Sequence, residues 1–419
     1  MSRIVLSTMG SLGDLHPMMA LGLELRRRGH SVVVNTWQGY REKIVDNGLE
    51  FVPLRPDLDP TDSELIRKTM DSVKGPEMVI REIILPAVSD MYEDMLAAVE
   101  GADVFLNGEI VYPAASIAQT TGIKWITTSL SPLCMFSSED PNVYPQASWL
   151  FEALRPMPVA FHETLFRFMR WTIKDWFEPY KAFRRDLGLD PDHDPIFTDK
   201  FSPQMHLAMF SAAIGKPQPD WPTPTIQTGF CFYDESETTT LQPELAAFLD
   251  NGEPPILFTL GSAAVMDSRD FFDESAKAAK LLGRRAVLLY GRDQRLPTGL
   301  NENIVAFEFA PYSQVFPKAA CVVHQAGVGT TGQVLRAGVP HLIIPFSHDQ
   351  PDNAARCRRA GVAEIISRDS YNADRAASAL KKILADDQYR TNAQQLKAIV
   401  DSEPGTTAAC DAIEGVLRK

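Results

Sequence analysis

The residues with the clearest chemical meaning lie at positions 324–331, which read His-Gln-Ala-Gly-Val-Gly-Thr-Thr. A hydrophobic strand at 321–323 leads into this small-residue turn, and a helix-like segment at 333–336 follows it. Glycines let the backbone approach a ligand closely, and backbone N–H groups at a helix start favour a phosphate. Thr330 and Thr331 add hydroxyl donors. The pattern predicts a phosphate cradle, without the G-x-G-x-x-G spacing of a dinucleotide site.

A second loop that could do chemistry lies near the N-terminus, where positions 10–17 read Gly-Ser-Leu-Gly-Asp-Leu-His-Pro. Asp14 and His16 could each accept a proton. An imidazole with a pKa near 6.5 suits general-base work better than a carboxyl near 3.9, unless burial raises the pKa of the carboxyl. A helix is predicted over Pro17–Arg28, so Asp14 could also serve as a cap before that helix.

Charge and length restrict the class of protein. The chain has 419 residues, which at roughly 100–200 residues per domain predicts two domains. It carries 41 basic and 54 acidic residues, a net charge of −13, so nucleic acid is not an expected partner. An acidic protein that binds an anionic nucleotide must concentrate positive potential locally, and helix N-termini can supply it.

Cysteine usage and hydropathy indicate the compartment. The five cysteines are scattered without C-x-x-C spacing, which is typical of free thiols in a reducing cytoplasm. The first strand is too short for a signal-peptide core, and no apolar run approaches the roughly 20 residues of a membrane helix. We therefore expect a cytoplasmic protein without a transmembrane segment. The oligomeric state cannot be read from the sequence.

Strands and helices alternate in both halves of the chain, which predicts parallel sheets covered by helices, an α/β fold. The predicted strands are 4–8, 31–35, 103–107, 125–129, 225–232, 255–260, 286–290, 304–307, 321–323 and 341–344. A proline-rich stretch at 217–224 and a polar run at 234–240 place an interdomain linker at 233–245. In such folds the ligand lies at the carboxyl ends of the strands.

Residues 145–187 are unusually aromatic, and much of this segment has helical spacing. One interpretation is the core of a helical subdomain. The other is the wall of an apolar pocket for a flat hydrophobic substrate. The aromatic residues are Trp149, Phe151, Phe161, Phe166, Phe168, Trp171, Trp176, Phe177, Tyr180 and Phe183.

The order of these motifs resembles the nucleotide-sugar signature of family 1 glycosyltransferases, which are two-domain, UDP-sugar-dependent enzymes of GT-B fold. The likeness covers essentially the whole chain, is most specific over 309–353, and is closest to bacterial, sterol-type and antibiotic-type glucosyltransferases. It implies two Rossmann-like domains facing each other across a cleft. Residues 1–232 would bind the acceptor, residues 246–400 would bind the nucleotide sugar, and a helix in 401–419 would pack back on the first domain.

The resemblance also assigns residues to the donor. Phe309 would stack on uracil while the backbone near Ala310 reads its edge, and Asp349 with Gln350 would hold the sugar hydroxyls. Counting back from 338–340 puts Gln325 where the family usually has a phosphate-binding histidine, with His324 one place earlier, and either could serve. The full donor set is Gly13, Gly261, Ser262, Phe309, Ala310, His324, Gln325, Gly327, Gly329, Thr330, Thr331, Gln333, Asp349 and Gln350.

The implied reaction is inverting transfer of a hexose, glucose above all, from a UDP-sugar to a hydroxyl of a hydrophobic small molecule such as a sterol, flavonoid or macrolide. Sterol-type and glycopeptide-type members carry the base where this chain has Asp14, and His16 is the competing candidate. TDP is the alternative nucleotide. The scheme needs no cofactor besides the donor and no metal, and the D-x-D runs at 57–59, 190–192 and 192–194 lie beside prolines in predicted turns.

Two other functions are compatible with the fold that the resemblance implies. One is a sugar-nucleotide epimerase of GT-B fold, which would not need the large aromatic region. The other is a non-catalytic auxiliary protein that binds a sugar nucleotide, which would not need a base such as Asp14. Replacing that aspartate would separate binding from turnover in each case.

Overall fold

Two parallel β-sheets, one in each half of the chain, form the frame of the molecule. The computed structural model describes residues 1–59, 62–234, 241–292 and 294–418. The first sheet has seven strands in the order β3-β2-β1-β4-β5-β6-β7. Its strands are β1 (Arg3–Ser7), β2 (Ser31–Thr36), β3 (Glu50–Pro53), β4 (Val104–Asn107), β5 (Lys124–Ser129), β6 (His206–Ala208) and β7 (Thr225–Gln227).

The second sheet has six strands in the order β10-β9-β8-β11-β12-β13. Its strands are β8 (Ile256–Thr259), β9 (Ala286–Leu289), β10 (Ile304–Phe307), β11 (Cys321–His324), β12 (His341–Ile343) and β13 (Ala363–Ile365). All strand pairs in both sheets are parallel, so the predicted α/β class is confirmed. Parallel strands are buried on both faces, and helices cover both sheets.

Helices connect the strands of each sheet. Those of the first half are α1 (Leu12–Arg27), α2 (Arg41–Asp46), α3 (Ser63–Thr69), α4 (Gly75–Glu77), α5 (Val88–Val99), α6 (Ala114–Thr121), α7 (Ser148–Leu154), α8 (Val159–Thr172) and α9 (Glu178–Asp186). A π-helical segment, Met78–Ile84, follows α4 and leads towards α5. Those of the second half are α10 (Pro243–Asp250), α11 (Gly261–Ala264), α12 (Phe271–Leu282), α13 (Tyr312–Val315), α14 (Val328–Ala337), α15 (Gln350–Arg359), α16 (Ala373–Ala385), α17 (Asp387–Ser402) and α18 (Thr406–Arg418).

Each sheet has a point where the strand order changes direction, and the site loops lie there. In the first sheet β1 pairs with β4, with Ser7 opposite Asn107, so the loops after these two strands are neighbours. In the second sheet β8 pairs with β11, with Phe258 opposite Val323. Ligands of open α/β sheets bind at this kind of switch point, outside the carboxyl ends of the strands.

The predicted start of the first helix was wrong. The helix begins at Leu12, because Ser11 caps it and Asp14 completes a capping box with the backbone of Ser11. Pro17 therefore lies inside the helix, where its ring nitrogen cannot donate to the carbonyl of Gly13. The strand predicted over 225–232 is also shorter than expected and ends at Gln227.

The two halves are joined through apolar contacts. One core cluster combines Phe210, Ile214 and Phe230 of the first half with Ala354 and Cys357 of α15. These buried side chains hold the two domains against each other, since separating them would expose apolar surface to water.

The chain crosses between the domains twice. It leaves the first sheet after β7, and six residues of the predicted linker, 235–240, lie outside the described part of the chain. After α17 it returns, and the N–H of Gly405 donates to the carbonyl of Thr228 at 2.9 Å. The last helix, α18, packs against α1 with Ile413 fully buried in the first core, and Arg28 binds Asp411 of α18 at 2.6 Å.

Candidate functional site

Asp14 lies in the third position of α1, directly after the first strand of the first sheet. Its Oδ2 accepts a hydrogen bond from the backbone N–H of Ser11 at 2.8 Å and lies 3.3 Å from the hydroxyl of Ser11. Both contacts end on the same oxygen. Among the residues that the structure describes, none donates to Oδ1, so that oxygen is available to a ligand.

Two other carboxylates lie close to Asp14. Burial is the main reason that the pKa of Asp14 rises to about 7, and the charges of Glu109 and Asp349 raise it further. Burial likewise raises the pKa of Asp349 to about 7, with a further contribution from Glu109. A carboxyl group at this pKa can exchange a proton near neutral pH.

Glu109 was not predicted from the sequence. It follows β4, and the pairing of β4 with β1 places it beside the loop of Asp14. Its two oxygens accept from the N–H of Leu130 at 2.9 Å and from the thiol of Cys134 at 2.5 Å. In the sequence, Glu109 is recognisable only as a carboxylate shortly after a buried strand. The order of the strands is needed to show that it lies beside the loop of Asp14.

His16 lies two residues, about half a turn, further along α1. Its ring contacts the ring of Tyr233, with centroids 5.0 Å apart and planes tilted by 48°. Tyr233 belongs to the segment that leaves the first domain. Asp14 and His16 therefore differ in setting, since the carboxylate neighbours Glu109 and Asp349 while the imidazole packs on an aromatic ring.

The predicted phosphate cradle is built from the loops after β8 and β11. Gly261 has a left-handed backbone with φ of 67°, and a β-carbon there would lie 2.3 Å from Nε2 of Gln325. A β-carbon on Gly327 would lie 3.0 Å from the same atom. The amide of Gln325 thus fills the space that the two glycines leave open, with Thr330 also near Gly261. Oε1 of Gln325 and the hydroxyl of Thr331 are buried without a protein partner among the described residues.

His324 occupies a different environment from Gln325. Its side chain is fully buried, its Nε2 lies 3.0 Å from Nδ1 of His341, and its Nδ1 accepts from the N–H of Ala326 at 3.1 Å. Burial and the neighbouring His341 lower its pKa well below the usual range. Both ring nitrogens of His324 are therefore used inside the sheet, and Gln325 is the residue beside Gly261.

Helix N-termini converge on the cradle. α14 begins at Val328, and a β-carbon on Gly329 would lie 3.9 Å from the Cα of Gly13 in the first turn of α1. The first turns of two helices from opposite domains therefore lie so close that one added carbon atom would bring them into van der Waals contact. α15 begins immediately after Asp349, so a third positive helix end lies nearby. Together they provide the local positive potential that this acidic chain lacks overall.

The predicted sugar-binding pair is fixed to the cradle. Oδ2 of Asp349 accepts from the N–H of Val328 at 3.2 Å and from the amide of Asn353 at 2.7 Å. Asn353 also donates to the carbonyl of Ala326 at 2.9 Å. Gln350 is turned towards its own loop, where its Oε1 accepts from the N–H of Phe346 at 2.8 Å, so only its amide nitrogen remains for a ligand.

The remaining donor candidates lie further along the same edge. Gln333 donates to Asp234 at 3.2 Å, in the segment that follows the first domain. Phe309 is 39% exposed and Arg292 lies over its ring at 5.8 Å, so this phenylalanine is not a core residue, whereas Ala310 is buried. Ser262 is exposed in the first turn of α11.

The aromatic segment divides into two parts. Phe177, Tyr180 and Phe183 are buried in the first core, as the helix-core interpretation predicts. The rings of Phe168 and Trp171 are exposed on α8 and stack at 6.0 Å. Other members line a small cavity between α7, α8 and the preceding loop, whose apolar lining residues are Phe136, Pro141, Tyr144, Phe151, Leu154, Leu165, Phe166 and Met169.

The D-x-D runs serve local structure. Asp57 accepts from the N–H of Gln38 at 3.0 Å, and Asp190 accepts from the N–H of Asp192 at 2.9 Å. Asp194 accepts two backbone N–H groups and pairs with Arg170. Within the described ranges, no three His, Cys, Asp or Glu side chains group in a way that could hold a metal ion, and no helix has the length and apolarity to span a membrane.

Two parallel sheets of seven and six strands, with a glycine-rich loop on one and a carboxylate loop on the other, have the architecture of GT-B glycosyltransferases. The glycosyltransferase family 28 N-terminal domain matches residues 4–101, and the erythromycin biosynthesis protein CIII-like C-terminal domain matches residues 286–415. The chain belongs to the antibiotic- and sterol-type glycosyltransferases. It is 31% identical to the O-mycaminosyltylonolide 6-deoxyallosyltransferase of Streptomyces fradiae, over 98% of this chain and 97% of that one.

Other relatives agree with this assignment. A sterol 3-beta-glucosyltransferase of Arabidopsis thaliana is 24% identical over 98% of this chain and 67% of its own length. Among solved structures, the glycosyltransferase of kitacinnamycin has a TM-score of 0.74 at 24% identity and covers 99% of both chains. The glycosyltransferase VinC, solved in complex with DTDP, has a TM-score of 0.69 at 19% identity and also covers 99% of both chains.

The raised pKa of Asp14 predicts a pH-dependent stability. In the unfolded chain the carboxyl titrates near 3.9, so between about pH 4 and pH 7 the folded state holds more protons and stability falls as pH rises. Asp14→Asn removes this penalty and can retain the cap. We expect the free energy of unfolding of the variant, relative to that of the wild type, to be roughly 1–3 kcal/mol higher at pH 8 than at pH 5.

Urea unfolding at the two pH values measures this difference. Asp386→Asn, the same change at an exposed cap of α17, is the matched control. An equal effect of Asp14→Asn at pH 5 and pH 8 would contradict the raised pKa.

Proposed function

We propose that this glycosyltransferase moves a hexose from a pyrimidine nucleoside diphosphate sugar to a hydroxyl of a hydrophobic small molecule, with inversion at the anomeric carbon and Asp14 as the general base. The observation that carries the proposal is the juxtaposition of Asp14 with the cradle. The first turn of α1 meets the first turn of α14 at Gly13 and Gly329. A proton acceptor of one domain thus lies beside an anion site of the other.

Asp14 is the preferred base because of its surroundings. Burial, with the charges of Glu109 and Asp349, raises its pKa to about 7, which meets the requirement that an aspartate must satisfy for this role. The hydrogen bond from Ser11 holds Oδ2, which leaves Oδ1 to take the proton. His16 packs on Tyr233 and is the weaker candidate.

The donor would lie across the cradle. The amide of Gln325, the hydroxyl of Thr331 and the N–H groups that begin α14 are suited to a diphosphate, since all of them can donate. Oδ1 of Asp349 and the amide nitrogen of Gln350 would face the sugar hydroxyls. Phe309 is exposed at the edge of the same sheet and would stack on the pyrimidine.

The chemistry follows from these positions. The acceptor hydroxyl gives its proton to Oδ1 of Asp14 while its oxygen forms a bond to the anomeric carbon. The bond from that carbon to the diphosphate oxygen breaks on the opposite face, and the electron pair leaves with the nucleoside diphosphate. The helix ends and the donors of the cradle stabilise the charge that develops on the leaving group.

The relatives support a choice of substrates for testing. The sequence resemblance favours UDP-glucose, the relative from Streptomyces fradiae is named for transfer of 6-deoxyallose to O-mycaminosyltylonolide, and VinC was solved with DTDP. Uracil and thymine differ by one methyl group. Donors of both nucleotides and acceptors of the macrolide, sterol and flavonoid classes therefore belong in the first experiment.

That experiment measures transfer by the wild-type protein in the presence of EDTA. UDP-glucose and TDP-glucose are each combined with O-mycaminosyltylonolide, a sterol and a flavonol, and products are resolved by mass. We expect acceptor-dependent release of the nucleotide and a product that is one hexose heavier. Nucleotide binding without any product would favour the auxiliary-protein alternative, and interconversion of the donor alone would favour an epimerase.

Asp14→Asn tests the base. We expect kcat to fall roughly 10²- to 10⁴-fold, because the amide cannot accept the proton, while the nucleotide Kd stays within threefold. The wild-type kcat/KM should rise with pH to a plateau above about pH 7, since the base must be ionised. His16→Ala is the comparison, and a larger loss in that variant than in Asp14→Asn would assign the base to His16.

Gln325→Ala tests the cradle. The amide would donate to a charged phosphate oxygen, so we expect the affinity for UDP or TDP to fall roughly 10- to 100-fold in calorimetry. Gln394→Ala is the matched control, because Gln394 donates to the carbonyl of Gly338 on the far end of α14. Equal nucleotide affinity in the two variants would exclude Gln325 from the diphosphate site.

A further inference from the structure

Helix α15 has two functional halves. Its first turn holds the donor side of the site, where Asp349 and Asn353 bind the cradle through Val328 and Ala326. Its following turns pack on the second domain and also contact the first one. A single rigid helix therefore connects the turn that would hold the sugar with a surface of the acceptor domain.

Arg356 is the main contact of this second half. It is 5% exposed and forms an ion pair with Asp140 of the first domain. The same guanidinium donates to Oδ1 of Asn142 at 3.2 Å and to the carbonyl of Ile214 at 3.1 Å. Its Nε donates to Asp352, one turn earlier on α15, at 2.7 Å. One side chain of α15 thus binds three groups of the first domain.

Asp352 completes the contact from the same helix. It is fully buried, and its Oδ1 accepts from the backbone N–H of Val143 at 2.9 Å. Burying an aspartate and an arginine is costly unless both are well hydrogen-bonded, and apolar residues of similar size often stabilise as well or better. The residues around the pair, such as Ala354 and Cys357, form an apolar interface, so apolar side chains of similar size could fill the place of both ions.

The bound segment is a wall of the aromatic cavity. Pro141, Asn142 and Tyr144 line the cavity together with α7 and α8. Arg155 also binds this segment from inside the first domain, donating to the carbonyl of Pro141 at 2.6 Å and to Asp140 at 3.0 Å. The position of this wall thus depends on contacts from both domains.

We propose that the acceptor binds against the aromatic cavity, and that Asp352 and Arg356 are positioning residues that fix the wall of this cavity relative to the sugar-holding turn of α15. This inference rests on the proposed function. The pair lies one to two turns from Asp349 on the same helix, so an acceptor against the wall is held at a set distance from the sugar. Loosening the pair lowers the affinity for the acceptor and allows water to react with the donor sugar in its place. The affinity of the cradle for the nucleotide stays the same.

The test uses variants on both sides of the contact in the full chain. Arg356→Lys keeps the charge but loses the planar fork that reaches three partners at once. Asp140→Asn keeps the shape but removes the charge from the other domain. Arg375→Lys is the matched control, because Arg375 is exposed on α16 of the same domain, away from the contact with the first domain.

Three quantities are measured for each variant: the acceptor KM and kcat with the substrates that turn over in the panel, the Kd for UDP or TDP, and hydrogen exchange of residues 137–155. We expect Arg356→Lys and Asp140→Asn each to raise acceptor KM roughly 5- to 20-fold and to speed exchange of the wall. Nucleotide Kd should stay within twofold, and more donor should be lost to water. The effect of the double variant should be smaller than the sum of the two single effects, because both changes disrupt the same ion pair between Arg356 and Asp140.

The outcomes separate the two proposals. Unchanged acceptor KM despite faster exchange of the wall would overturn the positioning role alone. A parallel rise of acceptor KM and nucleotide Kd would show a general structural role and also overturn it. A wild type that transfers nothing would overturn the proposed function together with this inference. If Arg356→Lys does not fold, Asp140→Asn decides the matter from the other domain.

Discussion

Burial of like charges in the interdomain cleft is the constraint on which the rest of the site depends. Asp14 and Asp349 come from opposite domains, and burial raises the pKa of each to about 7. The charge of Glu109 raises both pKa values further. The unbound cleft is therefore electrostatically unfavourable. Apolar contacts between the domains, such as those of Phe230 and Cys357, hold it together, and the helix ends that meet at Gly13 offset the negative charge.

Much of the fold and part of the site could be predicted because the signals are local. The alternation of strands and helices predicted both sheets, and the small-residue turn at 324–331 predicted a loop between a strand and a helix, which the structure has there. Strands β3, β6 and β13 were not predicted, since strands of three or four residues carry little pattern. His324 ends β11 with its side chain buried in the sheet, whereas the side chain of Gln325 lies beside Gly261. The sequence of the segment does not show which of these two adjacent polar side chains points into the core.

The rest of the site depends on contacts between distant parts of the chain. Glu109 became visible only through the pairing of β1 with β4, and the contact of Arg356 with Asp140 joins residues of different domains. The start of α1 was wrong for another reason: the prediction begins the helix at Pro17, but the capping box of Ser11 and Asp14 begins it at Leu12, five residues earlier. In α1 the same aspartate both begins the helix and faces the cleft.

The two crossings of the chain between the domains have a mechanical consequence. The segment after β7 and the segment before α18 run side by side, joined by the hydrogen bond from Gly405 to Thr228 and by the contact of Glu403 with Gly229. Because the two connections are adjacent and joined to each other, they form a hinge with a defined axis, whereas a single connection would be a flexible tether. A rotation of the two domains about that line would open the cleft most at the edge farthest from the two connections.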